Sequence, residues 1–289
     1  MKWNKLFSKK PYSVAWQLFG IANLILTTAF LFIPDFNYLF KMFPLLLRIL
    51  FVPGLLLCFT GLGFFIVSRK RKIVIHLDHT TVEILEGNCL FEDGRACYDG
   101  YNVITVSELF SSKMGKYVSK NTTHYQFIKE IVGNNVDRFE KEMQKGLSDK
   151  IPQNIGEKPK RYPLGTTAVV NFGNEKYFFI AIVQKDNEFR CIPTSIKDFL
   201  KVLDELWKIV RVENEDFPVN MTLIGSGRAG VKMSLQHILQ TILMSLYYES
   251  QEGIVVKKLR IILDKNKMNA IDLEDIKSYW DTASQKKLY

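Results

Sequence analysis

Acidic residues are almost missing from the first quarter of this chain. Residues 1–72 hold a single one, Asp35, against ten lysines and arginines, and this segment alone accounts for the formal charge of +9. The remaining 217 residues carry 29 basic and 29 acidic side chains. That balance removes the bulk electrostatic footprint of a nucleic-acid-binding domain, so no nucleic-acid partner is expected. Cysteine is scarce as well: Cys58, Cys89, Cys97 and Cys191 are the four, no two at zinc-ligand spacing and none accompanied by a histidine pair. No metal site is therefore legible, and free thiols in a reducing compartment are the expectation. A nucleophile and base at a recognisable spacing are also lacking, so no residue is assigned a catalytic role and turnover is not expected. Two glycosylation sequons, at Asn121 and Asn220, read as chance in a chain with no sign of a secreted domain.

What is present at the N-terminus is apolar length. Val14–Ile33 and Ile49–Val67 run for 20 and 19 residues without a charge. A hydrocarbon core of about 30 Å needs about 20 apolar residues in a helix, so each run can span a bilayer. The first run is long for a signal peptide, and a second follows at once. Four lysines precede the first span, Arg69-Lys70-Arg71-Lys72 follows the second, and the connecting segment has Lys41 alone and the rings of Phe36, Tyr38, Phe40 and Phe43. Positive-inside asymmetry then puts both termini of a multi-pass membrane protein in the cytoplasm. Gly54, Cys58 and Gly61 share one helical face, and Gly20, Asn23 and Thr27 another. Such faces either close the hairpin or pack between subunits. Two helices cannot enclose a pore, so any lesion in the lipid requires a homo-oligomer.

From residue 73 onward the periodicity alternates between strand and helix, giving an expected two-part division at 72/73 and a mixed α/β domain. The strand candidates are 73–77, 81–85, 101–106, 166–172, 177–183, 219–224 and 258–263; the helix candidates are 124–132, 137–147, 195–210, 234–250 and 273–283. Asn171-Phe172-Gly173-Asn174 reads as a hairpin turn, 148–163 as a loop, and Lys158-Pro159-Lys160-Arg161 within it as a solvated basic run. After the strand ending at Ile224 comes Gly225-Ser226-Gly227-Arg228-Ala229-Gly230, a G-x-G-x-x-G run. Glycines at this spacing let backbone N–H groups approach a pyrophosphate, and the helix that follows adds partial positive charge. A dinucleotide-dependent oxidoreductase does not fit. The position 20 residues on is still helical, the next strand ends only near Asp264, and 25 residues then remain, too few for a doubly wound sheet. Equally, Gly225 and Gly230 could form a tight strand-to-helix turn with no ligand at all.

The order of these elements resembles the C-terminal half of a macro domain, in which this loop wraps the diphosphate of ADP-ribose. Upstream, Val82-Glu83-Ile84-Leu85-Glu86-Gly87-Asn88 is similar to the family's first motif, with Asn88 in place of the usual Asp. The chain is most similar to the transmembrane–macro effectors of type II Thoeris anti-phage systems, where a membrane hairpin precedes a divergent macro domain. Ile104–Phe110 resembles their first loop, with Ser107 departing and Glu108 matching. Val118–Ile128 resembles their loop-to-helix stretch, with His124 matching and Tyr125 replacing a glycine; Tyr162–Ala168 also fits. The resemblance implies a membrane effector that binds an ADP-ribose-derived messenger, histidine-ADP-ribose made by a TIR-domain partner. It then oligomerises and disrupts the membrane to abort infection. A membrane-tethered ADP-ribose hydrolase is the alternative, although 106–115 lacks the Asn-rich segment of hydrolytic macro domains. A scaffold whose glycines are purely structural is a third reading.

The resemblance carries the ligand site onto Asn88, Ser107, Glu108, Asn121, Thr122, Thr123 and His124, and onto Gly225, Ser226, Gly227, Arg228, Ala229 and Gly230. Each has a plainer reading. His124 could cap or pack a helix start. Arg228 could pair with a phosphate or sit exposed at a loop tip. Glu108 could receive an amine of the ligand or be a surface acid.

Overall fold

The computed structural model describes residues 72–286 other than 116, 157, 158, 174, 228 and 229. Both expected membrane spans lie outside the described residues, among which no helix is long and apolar enough to cross a membrane.

The strands are β1 (Lys72–Leu77), β2 (Thr80–Glu86), β3 (Phe91–Glu92), β4 (Arg95–Ala96), β5 (Tyr101–Ser107), β6 (Thr167–Phe172), β7 (Glu175–Lys185), β8 (Cys191–Ile192), β9 (Val219–Thr222) and β10 (Lys258–Leu263). The helices are α1 (Thr123–Phe127), α2 (Val136–Gly146), α3 (Ile196–Glu213), α4 (Leu235–Ser250), α5 (Lys265–Ala270) and α6 (Leu273–Lys286). One sheet runs β1-β2-β10-β9-β5-β7-β6, with β8 paired to the far end of β7; β3 and β4 form a separate hairpin. The five strands from β2 to β7 are mutually parallel, and β1 and β6 add antiparallel edges. A parallel sheet must be covered on both faces, and β7 shows this in its sequence. Tyr177, Phe179 and Ala181 enter one core while Phe178, Ile180 and Ile182 enter the other, all of them buried.

The first core lies under α3, α4 and α6. In α3, Phe199, Val202, Leu203, Leu206, Trp207 and Val210 recur at helical spacing and are fully buried. Ser195 caps this helix by accepting from the Asp198 N–H at 3.1 Å. The second core, under α1 and α2, is aromatic. The Phe127 ring meets those of Phe91, Phe139, Tyr177 and Phe179 at 4.7–5.4 Å, mostly edge to face. The expected helix 124–132 divides here into the single turn of α1 and a π-helical turn at Ile128–Val132. Three short elements escaped the periodicity altogether: the β3–β4 hairpin, β8 and α5. Two- and six-residue segments contain too few repeats to register.

The connections decide where a ligand can enter. From β9 the chain passes through α4 to β10 on one side; from β5 it passes through α1, α2 and β6 to β7 on the other. The two departures point in opposite directions, which makes the β5–β9 boundary a topological switch point. The ladder there is short. It pairs Tyr101 with Val219 and Asn102 with Asn220 and extends no further. Buried Asn102 and Asn220 stitch its end, with Asn220 Nδ2 3.4 Å from Asn102 Oδ1 and 3.0 Å from the Asp99 carbonyl. Beyond that stitch, toward the carboxyl ends of the strands, β5 and β9 run unpaired to each other.

Candidate functional site

A cavity of about 320 Å³ opens at that crevice. All five parallel strands contribute to it from their carboxyl ends: Asn88 after β2, Ser107 from β5, Lys185 from β7, Thr222 from β9 and Asp264 after β10. The volume lies in the range of small-molecule and cofactor sites.

The β9 wall is the glycine turn. Its backbone closes on itself, with the Gly230 N–H donating to the Gly227 carbonyl (2.9 Å) and the Val231 N–H to the Gly225 carbonyl (3.0 Å). The three glycines differ in what holds them. Gly225 has φ +86°, and a Cβ there would lie 3.1 Å from the Phe199 ring and 3.2 Å from Val231. A Cβ on Gly230 would lie 2.6 Å from two carbonyl oxygens of the same turn. A Cβ on Gly227 would meet nothing within 4 Å, and its φ lies outside the left-handed region. Gly225 and Gly230 are thus required by the turn, whereas Gly227, which lines the cavity, has no such internal reason. Ser226 also lines the cavity, while its hydroxyl donates back to the Leu223 carbonyl (2.6 Å). Arg228 and Ala229 lie outside the described residues. The expected helix dipole is displaced: the turn's contribution to the cavity lining ends at Gly230, and α4 begins five residues later behind its own cap, Ser234.

The β5 wall is built with side chains. A bulge between Val106 and Ser107 shifts the β5–β7 register, so that Ser107 faces Val183, re-aiming the strand end at the cavity. Asn121, Thr122 and Thr123 all line it. The Thr122 hydroxyl is already occupied, accepting from the Tyr125 N–H (3.1 Å) and donating to the Ser119 carbonyl (2.8 Å), which caps α1. His124 belongs to the lining, yet its ring is buried against Phe179, centroids 5.8 Å apart, and its Nε2 meets no partner. Burial pushes its pKa down to about 3, so the imidazole is neutral at any physiological pH and offers no charge to a ligand.

Glu108 departs from expectation. It is buried and is not part of the cavity wall. Its carboxylate pairs with the Arg161 guanidinium and accepts from the Lys185 N–H at 3.2 Å. Arg161 also donates to the Lys185 carbonyl at 2.6 Å. The basic run at 158–161, expected to be solvated, therefore turns its last residue inward to lock the loop after β5 onto the end of β7. Glu108 holds the site together from behind.

Several lining residues were not singled out in the sequence: Tyr117, Lys185, Cys191, Thr222, Asp264 and Lys267. Lys185 and Lys267 are the lysines among the described lining residues. Asp264 caps α5, accepting from the Asn266 and Lys267 N–H groups at 3.0 Å. Burial alone would raise its pKa, but those backbone bonds and the Lys267 ammonium, 3.2 Å away, bring it below the ordinary value. It is thus an anion neutralised within its own turn. Asp264 directly follows the apolar end of β10, and Lys185 ends β7 one residue past its apolar run, so the strand-end rule for parallel sheets would have flagged them. The lining thus combines a glycine turn, hydroxyls, Lys185 and the Asp264–Lys267 ion pair.

The fold has solved counterparts. The macrodomain of Oceanobacillus iheyensis with ADP is 11% identical, with a TM-score of 0.50 over 74% of this chain and 100% of that one. A mutant of the same macrodomain is also 11% identical at a TM-score of 0.50, over 74% and 96%. At such identity the likeness is one of fold. No curated protein sequence matches significantly. The macro domain family of the Thoeris protein ThsA matches residues 82–264, from within β2 to the residue that caps α5. The chain therefore belongs to the ThsA macro domain family of Thoeris, as a divergent macro domain.

Proposed function

We propose that this protein is a ligand-gated membrane effector of bacterial anti-phage defence, and that the cavity between β5 and β9 receives an ADP-ribose-derived messenger. The observation that carries the reading is Gly227. It lies on the cavity wall in open space, with no steric need of its own to be glycine. A backbone stripped of side chains at that point suits close approach of a diphosphate. Lys185 supplies cationic charge, and Asn88, just after β2, is the residue to which the macro-domain resemblance assigns the adenine contact. The fold neighbour that holds ADP supports a nucleotide diphosphate as the ligand class. In this proposal the messenger is histidine-ADP-ribose from a TIR-domain partner. The spans at 14–33 and 49–67 anchor the chain in the inner membrane, and binding drives homo-oligomerisation and membrane disruption. Glu108 is engaged by Arg161, and His124 is a neutral core side chain. The Glu108 carboxylate lies outside the cavity lining, and the His124 ring on its wall is uncharged and only weakly basic, which favours binding over the hydrolase alternative.

Titration calorimetry on the full chain in detergent, against ADP-ribose and its histidine conjugate, tests the reading. At least one derivative should bind, the conjugate more tightly. Gly227→Glu should weaken binding by more than about 10-fold, because it sets a carboxylate where the phosphates would lie, a loss of about 1.4 kcal/mol or more. Its melting temperature should stay within a degree or two of the wild type. Failure of every ADP-ribose derivative to bind the wild type would overturn the proposal.

A further inference from the structure

Away from the cavity, one feature of the loop between β2 and β5 has no part in the functions argued so far. β3 and β4 form a two-residue hairpin whose turn, Asp93-Gly94, has φ of +51° and +74°, the combination that lets a tight turn follow strand twist. The hairpin is pinned to the sheet by Leu90 and Phe91, both buried, with Phe91 against the rings of Phe127 and Tyr177. Its base is closed by the Cys97 N–H donating to the Leu90 carbonyl at 2.8 Å. This closure brings together Cys89 and Cys97, which are eight residues apart and carry no recognisable metal spacing. Their sulfurs lie 3.9 Å from each other, and Glu92 joins them so that one ligand atom from each residue lies within 4.8 Å of the others.

We propose that Cys89, Cys97 and Glu92 form a zinc site that staples this hairpin and holds the adjoining Asn88 at the cavity. Two thiolates at about 2.3 Å from a tetrahedral zinc are separated by about 3.8 Å, close to the observed spacing, and a carboxylate oxygen binds at about 2.0–2.2 Å. A disulfide would instead require the sulfurs to close to about 2.05 Å. Two soft sulfurs with one carboxylate select zinc over magnesium or calcium, which prefer all-oxygen sets. Cys89 is half-buried, and Cys97 and Glu92 are exposed, so an ion reaches them without opening either core. Binding displaces the two thiol protons to solvent, Glu92 enters as the carboxylate, and water completes the fourth position. Arg95, paired with Glu92 across the hairpin, lies beside the resulting net negative charge. Unlike the messenger site, this staple needs no assumption about what enters the cavity.

The test uses the full chain, purified under reducing conditions and stripped with chelator, then titrated with zinc against a chromogenic competitor. One zinc should bind per chain, and cobalt in its place should give sulfur-to-metal charge-transfer absorption. Loss of an outer-sphere partner costs 10–100-fold in metal affinity, so loss of a direct ligand in Cys89→Ser or Cys97→Ser should cost more than about 100-fold. Glu92→Gln, a surface change that leaves the hairpin intact, should cost more than about 10-fold, and Cys191→Ser should cost nothing. Zinc should slow amide exchange across residues 88–97 of the wild type. The proposal is overturned if the reduced wild type takes up no zinc, if it carries a Cys89–Cys97 disulfide in place of metal, if the cysteine and Glu92 variants bind as the wild type does, or if bound zinc leaves exchange at 88–97 unchanged.

Discussion

The two walls of the cavity solve the same problem by different means. On the β9 side, the described residues of the glycine turn are shaped mainly by backbone: positive φ at Gly225, carbonyls packed against the Cα of Gly230, and two backbone hydrogen bonds that close the loop on itself, with the Ser226 hydroxyl on the Leu223 carbonyl added. On the β5 side, the 15 residues between Ser107 and Thr123 are held by side chains: the Glu108–Arg161 pair, the Thr122 cap, and the rings of Phe110 on Tyr162 and Tyr117 on Phe189. A short turn has few conformations to exclude, and glycine geometry suffices. A long loop loses far more entropy on ordering and needs anchors that reach other elements. The consequence is a division of labour. Damage to a wall anchor on the β5 side should appear first as lost stability, and damage to the β9 turn first as lost binding.

The largest expected effect tests the anchored wall. Glu108→Ala removes a buried carboxylate, leaving the Arg161 guanidinium and the Lys185 N–H without their partner. Breaking one side of such a pair costs about 3 kcal/mol, and chemical denaturation of the full chain should show a loss of that order. A double variant, Glu108→Ala with Arg161→Leu, should recover part of it; no recovery would mean the pair is not the anchor. Next comes Gly230→Ala, where a methyl must displace two carbonyl oxygens of the turn. Overpacking of this kind costs about 1–3 kcal/mol, and messenger binding should fail together with the turn. Gly227→Ala should do neither to the same degree, and equal destabilisation of the two variants would erase the distinction drawn between the glycines. Thr122→Ala removes one cap, for about 1 kcal/mol, read as a melting shift of a few degrees.

The one effect absent at neutral pH is a pH dependence. His124 has a folded pKa of about 3, below the unfolded value of about 6.5. Between those values the unfolded state binds the extra proton, so stability is fully present above pH 6.5 and declines as pH falls toward 3. The decline approaches about 1.4 kcal/mol per pH unit. His124→Leu should remove that part of the slope, leaving the part due to carboxylates. An unchanged slope between pH 6.5 and 5 would mean the ring is not buried as a neutral group.

Much of the scaffold was legible residue by residue. The apolar faces of α3 and α4 and the two-sided run of β7 are long enough to reveal their period, and Ser195 and Ser234 announce the helix starts they cap. The part of the cavity wall legible in the sequence was the glycine run, from its local spacing, and the Asn121–His124 stretch, from the family resemblance. It was illegible where it used pairings between distant residues. Nothing at Arg161 points to Glu108, 53 residues earlier; the two meet because β5 and β7 are neighbours in the sheet. Lys185 and Lys267 are ordinary lysines until the strand ends that carry them converge on one crevice.

By itself, then, the sequence determined the alternation of strands and helices, the glycine turn with its position late in the chain, and two uncharged runs long enough to cross a bilayer. These are local properties, set by periodicity, backbone freedom and the absence of charge. Only the tertiary structure decided which glycine the turn itself does not require, that Glu108 is locked to Arg161 outside the cavity lining, that His124 is buried and neutral at the cavity wall, and that Cys89 and Cys97 face each other. Each depends on distances between segments that the parallel sheet and its switch point bring together, and such distances leave no trace in the spacing of residues along the chain.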